Sequence, residues 1–272
     1  MIKQAIIPLA GLGTRMLPLT SVIPKELLPI NGKPNLEYIL EECLQAGINE
    51  FIFIISKKKN SIKKYFFNDI FYKKIIKKKG DKRIIEEFKK IKKYQKMIKF
   101  VYQNQPRGTG DAVLKCKKYI KGNYFLMLLP DDLIIKKNCS KEMIKLHKKL
   151  KGSIIATKKV DKKTVSRWGI LSVKNKKKYH FQINDVVEKP SIKKAPSNFA
   201  IIGRYILPTK IFREIKKIKP GRNSEIHITD AIKKMIYNGT KFYGNIFKGK
   251  YLDCGTLDGY ISSGKNITKG SK

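Results

Sequence analysis

At 272 residues and 42% hydrophobic content, the chain is long enough to bury a substantial core in one large domain or two small ones. No apolar run approaches the roughly 18–20 residues that span a bilayer, and the start MIKQAIIPLAG offers no small-residue cleavage site, so a soluble, cytoplasmic protein without membrane partners is expected. Lys and Arg total 61 against 21 Asp and Glu, but only seven are Arg and the lysines are scattered over nearly every presumed helix and loop. Recognition of bases and phosphates favours Arg's planar fork, so compositional drift is preferred to a nucleic-acid partner.

The first predicted strand, AIIPLA, runs into AGLGTRMLP. Gly11 and Gly13 stand directly after a strand, where open α/β sheets place their ligand crevice. Lacking Cβ atoms, they let backbone N–H groups come close to an anion. Met16 replaces the third glycine of a dinucleotide-binding loop, and no G-K-[S/T] follows, which sets aside both common nucleotide loops. Thr14 and Arg15 add a hydroxyl and a fixed cation suited to a triphosphate; a plain strand-to-helix turn fits the glycines equally well. In IPKELLPI, Pro24 and Pro29 bracket Lys25, either a second cation on a substrate or one more surface lysine.

PNLEYILEECLQAG then sets Leu36, Ile39, Leu40, Cys43 and Leu44 on one helical face, with Gly47 as its C-cap. Strand-like EFIFIIS, KFVYQ and YFLMLLP follow, separated by lysine-rich residues 60–96 and by helical GTGDAVLKCKKYI. Apolar strands alternating with amphipathic helices predict a parallel sheet covered on both faces. Residues 57–96 are expected to be an irregular, mobile lysine-rich insertion. Asp131 and Asp132 end a buried strand, where a carboxylate is costly unless a cation or hydrogen-bond donors meet it.

After Leu150 the pattern turns to GSIIATKKV, WGILSV, HFQINDVVEKP and FAIIGRYIL, with few helices between them. Helical TKIFREIKKI and HITDAIKKMIYNG and then KFYGNIFKG complete a mixed extension of the same sheet, giving one domain over 1–272. A Gly/Lys/Ser tail, 262–272, is expected to be disordered. Cys43, Cys116, Cys139 and Cys254 form no C-x-x-C pair, which argues against a zinc site or a disulfide framework and for buried thiols.

The ordered set AGLGTRMLP, IPKELLPI, GTGDAV, LLPDDLI, VVEKP, APSNFAIIGRYIL, EIHITDAI and YLDCGTLDGY, from Lys3 to about Ile261, resembles the bacterial UTP–glucose-1-phosphate uridylyltransferases. These belong to the sugar-1-phosphate nucleotidyltransferases, marked by G-x-G-T-R followed by P-K. The resemblance implies an α/β fold of Rossmann-like, GT-A-like architecture, with a mixed, mainly parallel central sheet flanked by helices. It implies Mg²⁺ dependence, UTP and glucose 1-phosphate as substrates, and a homo-oligomer, dimer or tetramer.

Carried onto this chain, the resemblance gives the nucleotide Ala10, Gly11, Leu12, Gly13 and Thr14, with Gln103 and Gly108 facing uracil. A side-chain amide donates and accepts at once, which suits the base's imide edge. Arg15, Lys25 and Lys189 become the catalytic cations, and Asp131 (also on the nucleotide) and Asp253 the Mg²⁺ ligands; Asp132 receives no role. On the sugar side stand Gly169, Glu188, Lys189 and Gly203, with Trp168 where the family more often has Tyr. Glu188 and Lys189 are strand neighbours and point to opposite faces, so both reach one substrate only across a bend, which Pro190 favours. Arg107, Thr109 and Asp111 depart from the family's apolar residues and histidine around the base. His147, His180 and His227 match no catalytic position and are expected to be structural. Three rivals remain: a thymidylyl- or cytidylyltransferase, a non-catalytic regulatory paralogue, and a basic nucleic-acid binder.

Overall fold

The computed structural model describes residues 1–67, 74–76, 78, 80–221 and 224–268. Its strands in chain order are β1 (Gln4–Pro8), β2 (Pro29–Ile30), β3 (Lys33–Pro34), β4 (Glu50–Ile55), β5 (Ile98–Tyr102), β6 (Tyr124–Leu128) and β7 (Asp132–Ile135). They continue as β8 (Ser153–Lys159), β9 (Gly169–Lys174), β10 (His180–Glu188), β11 (Phe199–Pro208), β12 (Phe242–Ile246) and β13 (Lys250–Asp253). Nine of them make one sheet, ordered β5-β4-β1-β6-β11-β8-β12-β10-β9. The later strands therefore extend the first sheet, as the sequence predicts.

Parallel pairing joins β5, β4, β1 and β6, and recurs between β8 and β12. Elsewhere β11 and β10 pair antiparallel with their neighbours. The expected parallel character thus belongs to the amino-terminal half, where helices cross over between strands, and the second half is antiparallel apart from the β8–β12 pair.

Strand β1 shows why both faces are covered. Ala5 and Ile7 enter one buried cluster while Ile6 enters the other, the period-2 consequence of a pleated strand. On the first face lie Leu36, Ile39, Leu40 and Cys43 of helix Asn35–Gln45, all fully buried, together with Met143 of helix Cys139–Leu150. Helices Gly108–Lys115, Ile211–Lys216 and Ile228–Tyr237 cover the second. All four cysteines are buried and free.

Two expectations are corrected. Residues 57–96 are not irregular where described: Lys57–Lys59 is a 3₁₀ turn, and Asn60–Phe67 and Lys82–Gln95 are helices. Asp81 caps the second by accepting from the N–H groups of Arg83 at 2.9 Å and Ile84 at 3.2 Å. Ile62, Phe66 and Tyr94 are buried in the core, so a sparse apolar face sufficed under the lysines. Residues 68–73, 77 and 79 of that expectation lie outside the described residues. Likewise, the tail expected from 262 onward is helical within Leu257–Thr268, anchored by buried Ser263 and Ile267; 269–272 lie outside the described residues.

Candidate active site

At β1 the strand order reverses, because β4 pairs on one side and β6 on the other. Open sheets offer their crevice at such a point, beyond the carboxyl ends of the strands. The loop after β1 and the loop after β6 meet there, around two adjoining cavities of about 540 and 200 Å³ that share Arg15, Asp131, Glu188 and Lys189.

Ala10, Gly11, Leu12, Thr14, Arg15 and Lys25 line the larger cavity. Gly13 does not line it. It makes the turn, with φ +70°, while its carbonyl accepts from the Thr20 hydroxyl at 2.8 Å. That left-handed backbone is unstrained only for glycine. The chain after it runs through a series of 3₁₀ turns, Thr14–Met16, Leu19–Ser21 and Lys25–Leu27.

Lys25 Nζ stands 2.6 Å from Asp131 Oδ2, and Arg15 Nη2 stands 3.7 Å from the same oxygen. Burial works to raise the Asp131 carboxyl, but the Lys25 ammonium, its hydrogen bond and Arg15 outweigh it and hold the group below its ordinary value. Burial works in turn against the Lys25 charge, and Asp131 and Glu26 reverse that, so the lysine stays protonated.

Asp253 arrives from the far end of the chain. Strands β13 and β7 pair antiparallel with Asp253 opposite Asp132, and the Cys254 N–H donates to the Asp131 carbonyl at 2.7 Å. A Cβ built on Gly255 would lie 2.8 Å from Asp131 Oδ2 and 3.2 Å from Asp253 Oδ1, so the two carboxylates converge on one point. Arg167 Nη2 balances Asp253 Oδ2 at 3.6 Å. Among the described residues no cluster of three or more His, Cys, Asp or Glu could hold a metal. Two converging carboxylates on the wall of the smaller cavity nevertheless fit Mg²⁺, which takes few protein oxygens and completes its shell with waters and phosphates.

The smaller cavity is lined by Trp168, Gly169, Glu188, Lys189, Gly203 and Asp253, among others. Strand β10 ends at Glu188, and Lys189 turns to φ +43° with its N–H on the Trp168 carbonyl at 3.0 Å. That bend brings both side chains to the cleft, and Glu188 Oε2 accepts from the Thr229 hydroxyl at 3.1 Å. Gly203 is there for close approach: a Cβ would sit 2.4 Å from Asp132 Oδ2 and 2.6 Å from the Leu129 Cβ. Asp132 also lines the smaller cavity, with its oxygens accepting from the Tyr251 hydroxyl at 2.6 Å and the Gly203 N–H at 3.1 Å. Burial, then the neighbouring Asp131 charge, pushes its carboxyl up to about 6.

Gln103 and Gly108 line the far end of the larger cavity. The expectation that the Gln103 amide both donates to and accepts from a base is corrected. Its Nε2 donates to the Gly108 carbonyl at 3.1 Å and to Asp111 Oδ2 at 2.7 Å, so both hydrogens are used inside the loop. His227 lines the same cavity, with its Nε2 3.6 Å from Glu225 Oε2. His147 does serve packing, its Nδ1 lying 2.7 Å from the Gly152 carbonyl and its ring against Tyr124.

The nucleotidyl transferase family pattern matches residues 4–270. This chain belongs to that family. It is 36% identical over 275 residues to the UTP–glucose-1-phosphate uridylyltransferase of Pseudomonas aeruginosa, covering 97% of this chain and 95% of that protein. A solved UDP-glucose pyrophosphorylase complexed with UDP-glucose superposes with a TM-score of 0.87 at 35% identity, covering 99% of this chain and 100% of that one. A UTP-bound enzyme of the same kind from Acinetobacter baumannii gives 0.88 at 32% identity, covering 98% and 93%.

Beneath the cleft of this family member lie two ion pairs that the sequence reading missed. Lys59 Nζ donates to both oxygens of buried Glu26, at 2.7 and 2.8 Å, and so braces the turn that carries Lys25. Arg204 is fully buried, with Nε and Nη2 on Glu42 at 2.9–3.2 Å. Its Nη1 donates to the Leu129 carbonyl at 3.0 Å and Nη2 to the Asp132 carbonyl at 2.6 Å, which ties down the loop bearing Asp131. A signal existed for Arg204: an arginine inside the apolar run FAIIGRYIL of a chain that otherwise uses lysine.

Proposed function

We propose that this nucleotidyl transferase moves the uridylyl group of UTP onto glucose 1-phosphate, forming UDP-glucose and pyrophosphate. The observation that carries the reading is the convergence of Asp131 and Asp253, with Arg15 and Lys25, where the two cavities join. A nucleoside triphosphate fits the larger cavity, with its phosphates at the Gly11–Arg15 loop and its base at Gln103 and Gly108. The sugar phosphate fits the smaller, with Glu188 accepting from sugar hydroxyls and Lys189 beside the phosphate. The same reading carries the cytoplasmic setting and the dimeric or tetrameric assembly expected from the sequence.

Asp131 and Asp253 would hold Mg²⁺, which when bound neutralises phosphate charge and polarises phosphorus–oxygen bonds. The protein's own groups do the rest by position and charge. A sugar phosphate is already ionised at neutral pH, so its oxygen attacks the α-phosphorus without a general base. Lys25 and Lys189 hold the attacking and accepting phosphates in line, and Arg15 meets the charge that grows on departing pyrophosphate.

Direct displacement has a stereochemical signature. A UTP analogue with sulfur on the α-phosphorus and one defined configuration is expected to give product inverted at that phosphorus, read by phosphorus NMR. Retention would replace the single displacement with a covalent uridylyl–protein intermediate and sink this mechanism.

A further inference from the structure

Gln103 follows β5 with its backbone N–H on the Ile55 carbonyl at 2.9 Å, and its side chain is buried at the base end of the cleft. Its amide nitrogen has two hydrogens. One goes to the Gly108 carbonyl and the other to Asp111 Oδ2, in the first turn of helix Gly108–Lys115. Both partners accept only. A flipped amide would set its oxygen against a carbonyl and a carboxylate, so the orientation is fixed by chemistry. What Gln103 can offer a base is then a single acceptor, Oε1.

We propose that Asp111 is a specificity-determining positioning residue: by holding a Gln103 N–H, it turns only the amide oxygen to the cleft and so selects a pyrimidine that carries hydrogen on N3. Uracil and thymine have that hydrogen. Cytosine has a lone pair there and would face the Gln103 oxygen with like charge. Asp111 does not line the cavity, and Lys115 Nζ stands 3.8 Å from it. The inference rests on the uridylyl reading of the cleft.

The test compares kcat/KM for UTP, CTP and TTP with glucose 1-phosphate in the unaltered protein, Asp111→Asn and Asp111→Ala, with thermal midpoints alongside. An asparagine can accept from or donate to Gln103, and alanine does neither, so either change removes one of the two acceptors that fix the amide and leaves the Gly108 carbonyl alone to oppose a flip. The UTP-to-CTP preference is expected to fall about tenfold or more, the scale of one hydrogen bond gained or misplaced. The UTP-to-TTP preference and the KM for glucose 1-phosphate should stay within about twofold, because both bases carry N3–H and the sugar site is distant.

An unchanged UTP-to-CTP preference in folded Asp111→Asn overturns the role of Asp111, and so does an equal fall in both preferences. Should Asp111→Ala fail to fold, Asp111→Asn keeps the side chain's shape and carries the comparison. Inactivity of the unaltered protein with UTP would overturn the proposed function instead. Calorimetric binding of UDP against CDP to the same proteins would then read the role of Asp111 by the same ratio.

Discussion

Lys25→Ala is expected to lower kcat for UDP-glucose formation by about 10²–10³-fold, the size seen when one preorganised electrostatic group is removed from an active site. Lys25 is well placed for so large an effect. Its side chain is only 13% exposed, and it lines the larger cavity with its ammonium 2.6 Å from Asp131. On the proposed reading the alanine variant loses a cation from the substrate phosphates, and it also leaves buried Asp131 with Arg15, at 3.7 Å, as its nearest countercharge. Lys25→Arg keeps the charge but not the compact, pointed head of an ammonium, and is expected to restore little. Single-turnover rates with saturating substrates check this. A Lys25→Ala protein within fivefold of the original kcat would remove Lys25 from the mechanism.

Arg204→Met should destabilise the protein by about 3–5 kcal/mol, the range for breaking a buried ion pair by removing one partner. Glu42 would remain buried with only Ser140 to satisfy it, through the N–H at 3.1 Å and the hydroxyl at 2.6 Å. The carbonyls of Leu129 and Asp132 would lose a donor at the same time. Removing Glu42 too, as Arg204→Met with Glu42→Leu, should recover part of the loss, since an unpaired buried charge is worse than none. Urea unfolding of the three proteins gives the comparison. A single variant as stable as the original would mean that the Arg204–Glu42 pair holds nothing together.

Much of the fold was legible because its signals are local. AIIPLA, EFIFIIS, KFVYQ and YFLMLLP are near-continuous apolar runs and became β1, β4, β5 and β6. The Gly11–Arg15 loop, Asp131 and Asp253 could be found from motif order, and the fold brings them to one cleft. How Asp253 reaches Asp131 could not be read. It depends on the pairing of β13 with β7, four residues each, too short for a pattern of alternation to declare itself.

Lysine abundance hid the rest. Lys59, one of three consecutive lysines, is buried on Glu26, and nothing in its neighbours marks it. Arginine was the better guide. Arg15 and Arg167 line the cleft and Arg204 lies beneath it. Where a rigid fork must meet fixed oxygens, lysine does not substitute. Gln103 shows a different limit: the sequence gives the amide, but only the neighbours at Gly108 and Asp111 decide which of its atoms faces a ligand.

The most direct test of the account is pyrophosphate release, measured for each nucleoside triphosphate with each of several sugar 1-phosphates, with Mg²⁺ and with the ion chelated. UTP with glucose 1-phosphate and Mg²⁺ is expected to give the fastest release, matched mole for mole by UDP-glucose and abolished by chelation. No pyrophosphate from that pair in the presence of Mg²⁺ would contradict the account.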